Sequence, residues 1–125
     1  MRLLLDTNVL VRWMADTPLP GRLERLLNKP ANEKLISIVT AWEIANKPKL
    51  NLSAGDVEAG IDAFGASVLP LKFRHIYEFH ALPFYNDHRD PFDRMLIAQA
   101  LAEDLAIASS DQRFAEYKGL KVIWD

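Results

Sequence analysis

The sequence has 125 residues, which predicts one domain that can bury a hydrophobic core without disulfides or structural metals. Hydrophobic residues make up 50% and charged residues 26%, and the absence of cysteine excludes disulfides, thiolate catalysis and zinc–cysteine sites. The net charge of −2 argues against a broad basic surface for nucleic acid, but it does not exclude a small cleft that combines acids and bases.

The apolar run near the N-terminus, Leu3–Leu5, is too short for the core of a signal peptide. No stretch approaches the roughly 20 apolar residues that a membrane-spanning helix needs. We therefore expect a soluble, cytoplasmic protein with no membrane partner.

Strands and helices are predicted to alternate along the chain. In order, they are strand Arg2–Leu5, helices Val9–Met14 and Gly21–Asn28, strand Leu35–Ile38, helices Val39–Lys47 and Ala54–Phe64, a short strand Val68–Leu69, helices Phe73–Ala81 and Pro91–Asp104, and strands Leu105–Ala108 and Lys121–Trp124. The strand segments are continuously apolar rather than alternating, which is typical of strands buried on both faces of a parallel sheet. This order predicts an α/β fold.

Capping signals support two of these helices. Ser53 and Asp56 have the spacing of a capping box before helix Ala54–Phe64. Asp90 is a candidate N-cap with Pro91 at the first helical position, and the helix that follows is apolar nearly all round. That composition predicts a central, buried helix.

Acidic residues follow two of the predicted strands directly. Asp6 ends the first strand and Asp111 follows the strand Leu105–Ala108. Ligands bind outside the carboxyl ends of strands in an open parallel sheet, so both acids are expected at the ligand-binding edge. Glu43, one turn into the helix after the second strand, and Asp93, in the first turn of its helix, are candidates to join them.

Four carboxylates at one edge would repel each other unless some take up protons or a cation holds them together. Oxygen ligands without cysteine or a histidine pair favour Mg²⁺ or Mn²⁺. Such an ion can activate water and stabilise the charge on a phosphate during in-line displacement.

Each acid also has an explanation that involves no catalysis. Asp6 and Asp111 are suited to cap the helices that follow them. Glu43 has capping-box spacing from Thr40, and Asp93 lies where the helix dipole favours a negative charge. Capping explains an acid at each helix start, but not the gathering of several acids at one sheet edge.

Three blocks of sequence carry a resemblance to a known family: "LLLDTNVLVRW", "ISIVTAWEIANKPKL" and "HRDPFDRMLIAQALAEDLAIASSDQRFAEY". Together they resemble the PIN domain, and more closely the VapC-type toxins of toxin–antitoxin pairs. The resemblance implies a three-layer α/β/α fold with a central, mostly parallel sheet of four to five strands. It also implies a Mg²⁺- or Mn²⁺-dependent endoribonuclease. The acidic catalytic and metal-binding residues of the family fall on Asp6, Glu43, Asp93 and Asp111.

Several polar residues near the acids are candidates for supporting roles. Asn8 occupies the place where family members often carry a polar residue, and Asp90 resembles the helix cap rather than a ligand. The hydroxyls of Thr7, Ser109 and Ser110 are candidates to orient a carboxylate or a bound water, although ordinary capping explains them equally well. The histidines look structural: His75 and His80 are five residues apart and do not share a helix face.

RNA and protein partners are also implied. Arg94, Arg89 and Lys47 are candidates to contact RNA phosphates, against the alternative that they are ordinary solvated charges. The resemblance implies a cognate antitoxin and a homodimer. The RNA target is not fixed by the sequence.

Two other functions remain open at this point. A phosphatase that uses Asp6 as nucleophile would need a "DxDxT" pattern, but Asn8 and Leu10 stand at the positions of its second aspartate and its threonine. A domain of this fold that binds RNA or protein without cutting is the second alternative, and the complete set of acids argues against it.

Overall fold

The computed structural model describes residues 1–125 and contains a five-stranded sheet in the order β3–β2–β1–β4–β5, with every neighbouring pair parallel. The strands are β1 (Arg2–Leu5), β2 (Glu33–Ser37), β3 (Ser67–Leu69), β4 (Ala106–Ala108) and β5 (Lys121–Ile123). The predicted α/β/α fold with a parallel sheet is therefore confirmed.

Six α-helices connect the strands: α1 (Thr7–Met14), α2 (Gly21–Leu27), α3 (Ile38–Ala45), α4 (Ala54–Ala63), α5 (Phe73–Ala81) and α6 (Pro91–Glu103). Two short 3-10 helices, Pro48–Leu50 and Gln112–Glu116, were not predicted. The ends of the predicted helices lie less than one helical turn from these bounds. Helix ends are the part of a helix that is least well defined.

The leucines of β1 explain why this strand is central. Leu3 and Leu5 belong to one hydrophobic cluster, and Leu4 belongs to a second cluster. Successive side chains of a strand point to opposite faces, so the two clusters lie on opposite sides of the sheet. Helices α1, α2 and α4 contribute to the first cluster, and α6 contributes to the second. The run of leucines is thus buried from both sides.

Helix capping follows the sequence in two places and departs from it in one. Ser53 and Asp56 form the predicted capping box of α4, and Asp90 caps α6 through Oδ1, which accepts from the backbone N–H groups of Phe92 and Asp93. The capping box suggested for Glu43 does not form, because α3 begins earlier and is capped by the Ser37 hydroxyl.

The strand order creates a natural binding crevice. The chain runs from β1 to β2 and β3 on one side, and then returns to β4 and β5 on the other. The carboxyl ends of β1 and β4 therefore lie at the switch point of the sheet, where open α/β folds place their ligands. None of the helices combines the length and the hydrophobicity that a membrane crossing requires.

Candidate metal centre

Asp6 stands at the switch point between β1 and β4. Its backbone N–H donates to the carbonyl of Ala108 (3.0 Å), which ties the end of β1 to the end of β4. Its Oδ1 accepts from the N–H of Val9 (2.8 Å), so it caps α1 as the sequence suggested. The residue is only 3% exposed. Burial raises the pKa of Asp6 to about 6, and the neighbouring charges of Glu43 and Asp111 add to that effect.

Glu43 is brought beside Asp6 by the first turns of α3. It is buried, and its two oxygens have different partners. The Thr7 hydroxyl donates to Oε1 (2.5 Å), and the Lys47 ammonium donates to Oε2 (2.5 Å). The bond to Glu43 raises the pKa of Lys47. Glu43 is therefore held from both sides, and one of its two partners is the Thr7 hydroxyl.

Asp93 is shared by two groups of three side chains whose oxygen or nitrogen atoms lie within 4.8 Å of one another. One group contains Glu43 and Asp90, the other contains His88 and Asp111, and Asp6 belongs to neither. Burial raises the pKa of Asp93 to about 7, and the charge of Asp90 is the second-largest cause of that rise. Asp90 was predicted only as a cap, but the cap also places its carboxylate in the acidic group.

Asp111 closes the group from the β4 side. Arg113 donates to both of its oxygens, at 3.1 Å from Nε to Oδ1 and 2.8 Å from Nη2 to Oδ2. This bidentate contact holds the pKa of Asp111 below its usual value. Ser109 is buried and its hydroxyl oxygen accepts from the backbone N–H of Asp111. The same hydroxyl lowers the pKa of Asp6, against the larger effect of burial.

The distribution of positive charge leaves the middle of the group unbalanced. Lys47 pairs with Glu43 at one flank and Arg113 pairs with Asp111 at the other. Asp6 and Asp93 have no ion pair with a lysine or arginine, and these are the carboxyls with raised pKa values. A hard divalent cation among these oxygens would supply the missing charge, so the donor set fits Mg²⁺ or Mn²⁺.

His88 is the residue that sequence reasoning missed at this site. It is fully buried, with Nδ1 2.8 Å from the Tyr117 hydroxyl and Nε2 3.5 Å from Oδ2 of Asp93. The second distance is too long for a good hydrogen bond, and Nε2 has no other partner. Burial lowers the pKa of His88. The sequence does place His88 close to the acids, because it lies two residues before the cap of α6. Its partner Tyr117, however, is remote in sequence.

Four other residues singled out from the sequence differ in their exposure. Arg94 is buried, and its Nη1 donates to the carbonyl of Pro83 (2.9 Å) and to the Tyr117 hydroxyl (3.1 Å). Its guanidinium is therefore hydrogen-bonded inside the fold. Asn8 and Ser110 are exposed and make no side-chain hydrogen bond to the acids. Arg89 is exposed, with its guanidinium over the ring of Phe84.

Comparison with known proteins agrees with this architecture. The family model of the PIN domain matches residues 3–120. The chain is similar to VapBC2 of Rickettsia felis, solved bound to a promoter DNA fragment (18% identity, 100% of both chains, TM-score 0.72). It is also similar to DNA-bound VapBC of Salmonella typhimurium (18% identity, 98% of this chain and 97% of that chain, TM-score 0.71) and to FitAcB of Neisseria gonorrhoeae (19% identity, 97% and 96%, TM-score 0.64). No match was found among curated protein sequences.

Proposed function

This chain belongs to the PIN domain family, and from that premise we propose that it is a Mg²⁺- or Mn²⁺-dependent endoribonuclease that hydrolyses phosphodiester bonds of RNA. The observation that carries the proposal is the unbalanced charge of Asp6 and Asp93 at the carboxyl edge of a parallel sheet. Keeping carboxylates buried without a cation is costly, and a ligand that supplies positive charge removes that cost.

The residues proposed to hold the ion are Asp6, Glu43, Asp93 and Asp111. When bound, such an ion activates water and stabilises negative charge on a phosphate. The protein's own contribution is to keep the four carboxylates in place. Thr7 and Lys47 fix the two oxygens of Glu43, and Arg113 fixes those of Asp111.

Substrate contacts are proposed for the exposed basic side chains near the acids. Arg89 is exposed one residue before the cap of α6, and the stem of Lys47 is half-exposed although its ammonium pairs with Glu43. Positively charged side chains at such places position a phosphate backbone without reading sequence. Because few cations line the site, we expect RNA binding to depend on the metal as well as on these residues.

We further propose that the protein is the toxin of a toxin–antitoxin pair, active in the cytoplasm, that binds a cognate antitoxin and forms a homodimer. The likeness in fold to proteins solved as VapBC complexes supports an antitoxin partner. Exposed aromatic side chains also support protein partners, since Phe73 and Tyr77 on α5 are 75% and 71% exposed. Large apolar side chains grouped at a surface commonly mark an interaction site.

A metal titration tests the proposed reaction. The purified protein should cleave RNA with added Mg²⁺ or Mn²⁺, stop when EDTA is in excess, and recover when the ion is restored. Cleavage products read at nucleotide resolution would also identify the RNA target. Equal cleavage in EDTA would contradict the proposal, whereas RNA binding without cleavage at any ion concentration would favour a non-catalytic binding domain.

A further inference from the structure

His88 carries the one buried side-chain nitrogen that lacks a hydrogen-bond partner. Its side chain is completely buried, and the unpartnered Nε2 points toward Oδ2 of Asp93 at 3.5 Å. A buried polar atom without a partner is uncommon in folded proteins and calls for an explanation. The nearest polar group that could satisfy it is a carboxylate that we propose as a metal ligand.

The hydrogen bonds on the other side of the ring decide where its proton lies. Arg94 donates from Nη1 to the oxygen of Tyr117, because a guanidinium can only donate. The phenolic hydrogen of Tyr117 then has Nδ1 of His88, at 2.8 Å, as its available acceptor. If Nδ1 donated instead, that hydrogen would have no acceptor. Nδ1 therefore accepts, and the neutral ring carries its hydrogen on Nε2.

The members of this chain are rigidly held. Arg94 is 8% exposed, Tyr117 is 2% exposed, and His88 is fully buried. The guanidinium of Arg94 is anchored at its other contact by the carbonyl of Pro83, and the ring of Tyr117 packs edge-on against Tyr85. The chain thus joins the segment after β4 to the first turn of α6, and it ends at Asp93.

We propose that Arg94, Tyr117 and His88 form a positioning chain in which Nε2–H of His88 holds the carboxylate of Asp93 toward the other acids. The chain acts through Asp93 and does not bind the ion, because a nitrogen that carries a hydrogen has no lone pair to offer. Hydrogen bonds of catalytic groups are often long in the unliganded protein and shorten in the working complex, which accounts for the 3.5 Å separation. The link to metal binding rests on the proposed function, whereas the tautomer does not.

Nuclear magnetic resonance of the ring nitrogens tests the chain in the metal-free, full-length protein. Long-range ¹H–¹⁵N correlations should show His88 protonated on Nε2 alone. In Tyr117→Phe, the donor to Nδ1 is lost and a mixture of tautomers is expected. In Asp93→Asn, the Nε2 and H resonances of His88 should shift. Protonation on Nδ1 in the parent, or no response of Nε2 to Asp93→Asn, would overturn the inference.

Mn²⁺ binding measured by calorimetry supplies the second readout. His88→Leu should raise the Kd for Mn²⁺ roughly 10- to 100-fold, which is the usual effect of removing a group that orients a metal ligand. His88→Gln retains an N–H near the same place, so its Kd for Mn²⁺ should stay within about threefold of the parent value. The matched control is His80→Leu, since His80 is exposed on α5.

The two proposals fail in different ways. If His88→Leu binds Mn²⁺ as tightly as the parent, or if His88→Gln is as weak as His88→Leu, the positioning chain is wrong while the metal site stands. If the parent binds no Mn²⁺, the proposed function fails, and the resonances of His88 still decide whether the chain exists.

Discussion

Replacing Asp6 or Asp93 with asparagine is expected to lower the rate of RNA cleavage by at least about a hundredfold while the fold is retained. Loss of a residue that merely orients a metal ligand costs up to that factor, so loss of a ligand should cost as much or more. Asparagine keeps the shape of both side chains, and at position 6 it still offers an oxygen to the N–H of Val9. The change therefore removes charge without removing the helix cap.

Initial cleavage rates at saturating Mg²⁺ measure this effect, and circular dichroism checks the fold. Asp62→Asn is the matched control, because Asp62 is an exposed residue of α4. It should cleave at the parent rate. If Asp6→Asn and Asp93→Asn both cleave as fast as Asp62→Asn, the assignment of the site is incorrect.

Without metal, the free energy of unfolding is expected to fall as the pH rises from 5 to 8. The folded-state pKa values are about 6 for Asp6 and about 7 for Asp93, against 3.8 for an unperturbed aspartate. Between these values the folded protein holds more protons than the unfolded chain, so raising the pH favours unfolding. The contribution of these two groups to the free energy of unfolding is fully present below pH 3.8 and is lost as the pH rises to about 7. Asp6 by itself corresponds to about 3 kcal/mol.

Other groups shape the same profile, and a variant isolates the acids. The lowered pKa values of Asp111 and Glu103 affect stability only at acidic pH, where their protonation destabilises the fold. The lowered pKa of His88 acts in the opposite direction to Asp6, because the unfolded chain binds that proton more readily. The difference between the parent and Asp6→Asn removes these shared contributions.

Urea denaturation in EDTA at several pH values measures the effect. Asp6→Asn should have a flatter profile than the parent and should be the more stable protein at pH 8. Adding Mg²⁺ at a hundredfold excess over its Kd should raise the free energy of unfolding of the parent by about 2.7 kcal/mol. If the parent and Asp6→Asn have the same pH profile in EDTA across this range, the ionised carboxylate of Asp6 does not destabilise the fold.

Most of the fold could be predicted from local pattern. The continuous apolar runs identified all five strands, because a strand covered on both faces has no polar side. Asp90 and Pro91 marked the start of α6, and Ser53 with Asp56 marked the start of α4. The two 3-10 helices were missed because such short segments carry no hydrophobic period.

The gathering of the acids could be predicted for a topological reason. Asp6 and Asp111 follow parallel neighbouring strands, so they must emerge at one edge of the sheet. Glu43 and Asp93 were placed there by the helices that begin at the same edge. The balance of charge among them could not be predicted, since it depends on whether Lys47 and Arg113 reach the outer acids rather than the central ones.

The side-chain contacts that could not be predicted mostly join remote segments. Arg94 is next to Asp93 in sequence, but α6 turns it away from the acids toward Tyr117. The hydrogen bond of His88 could not be predicted for the same reason, because Tyr117 lies 29 residues further along the chain. Ser37 rather than Thr40 caps α3, because the helix starts immediately after β2. Local spacing carries no information about which residue packs across such distances.

The central claim is that a divalent ion sits among the carboxylates of Asp6, Glu43, Asp93 and Asp111. Crystals soaked in MnCl₂ and measured near the manganese absorption edge test it most directly. An anomalous peak within coordination distance of the oxygens of Asp6 and Asp93 is the predicted result. Well-ordered crystals with no such peak between these side chains, or with the carboxylates turned apart, would contradict the account.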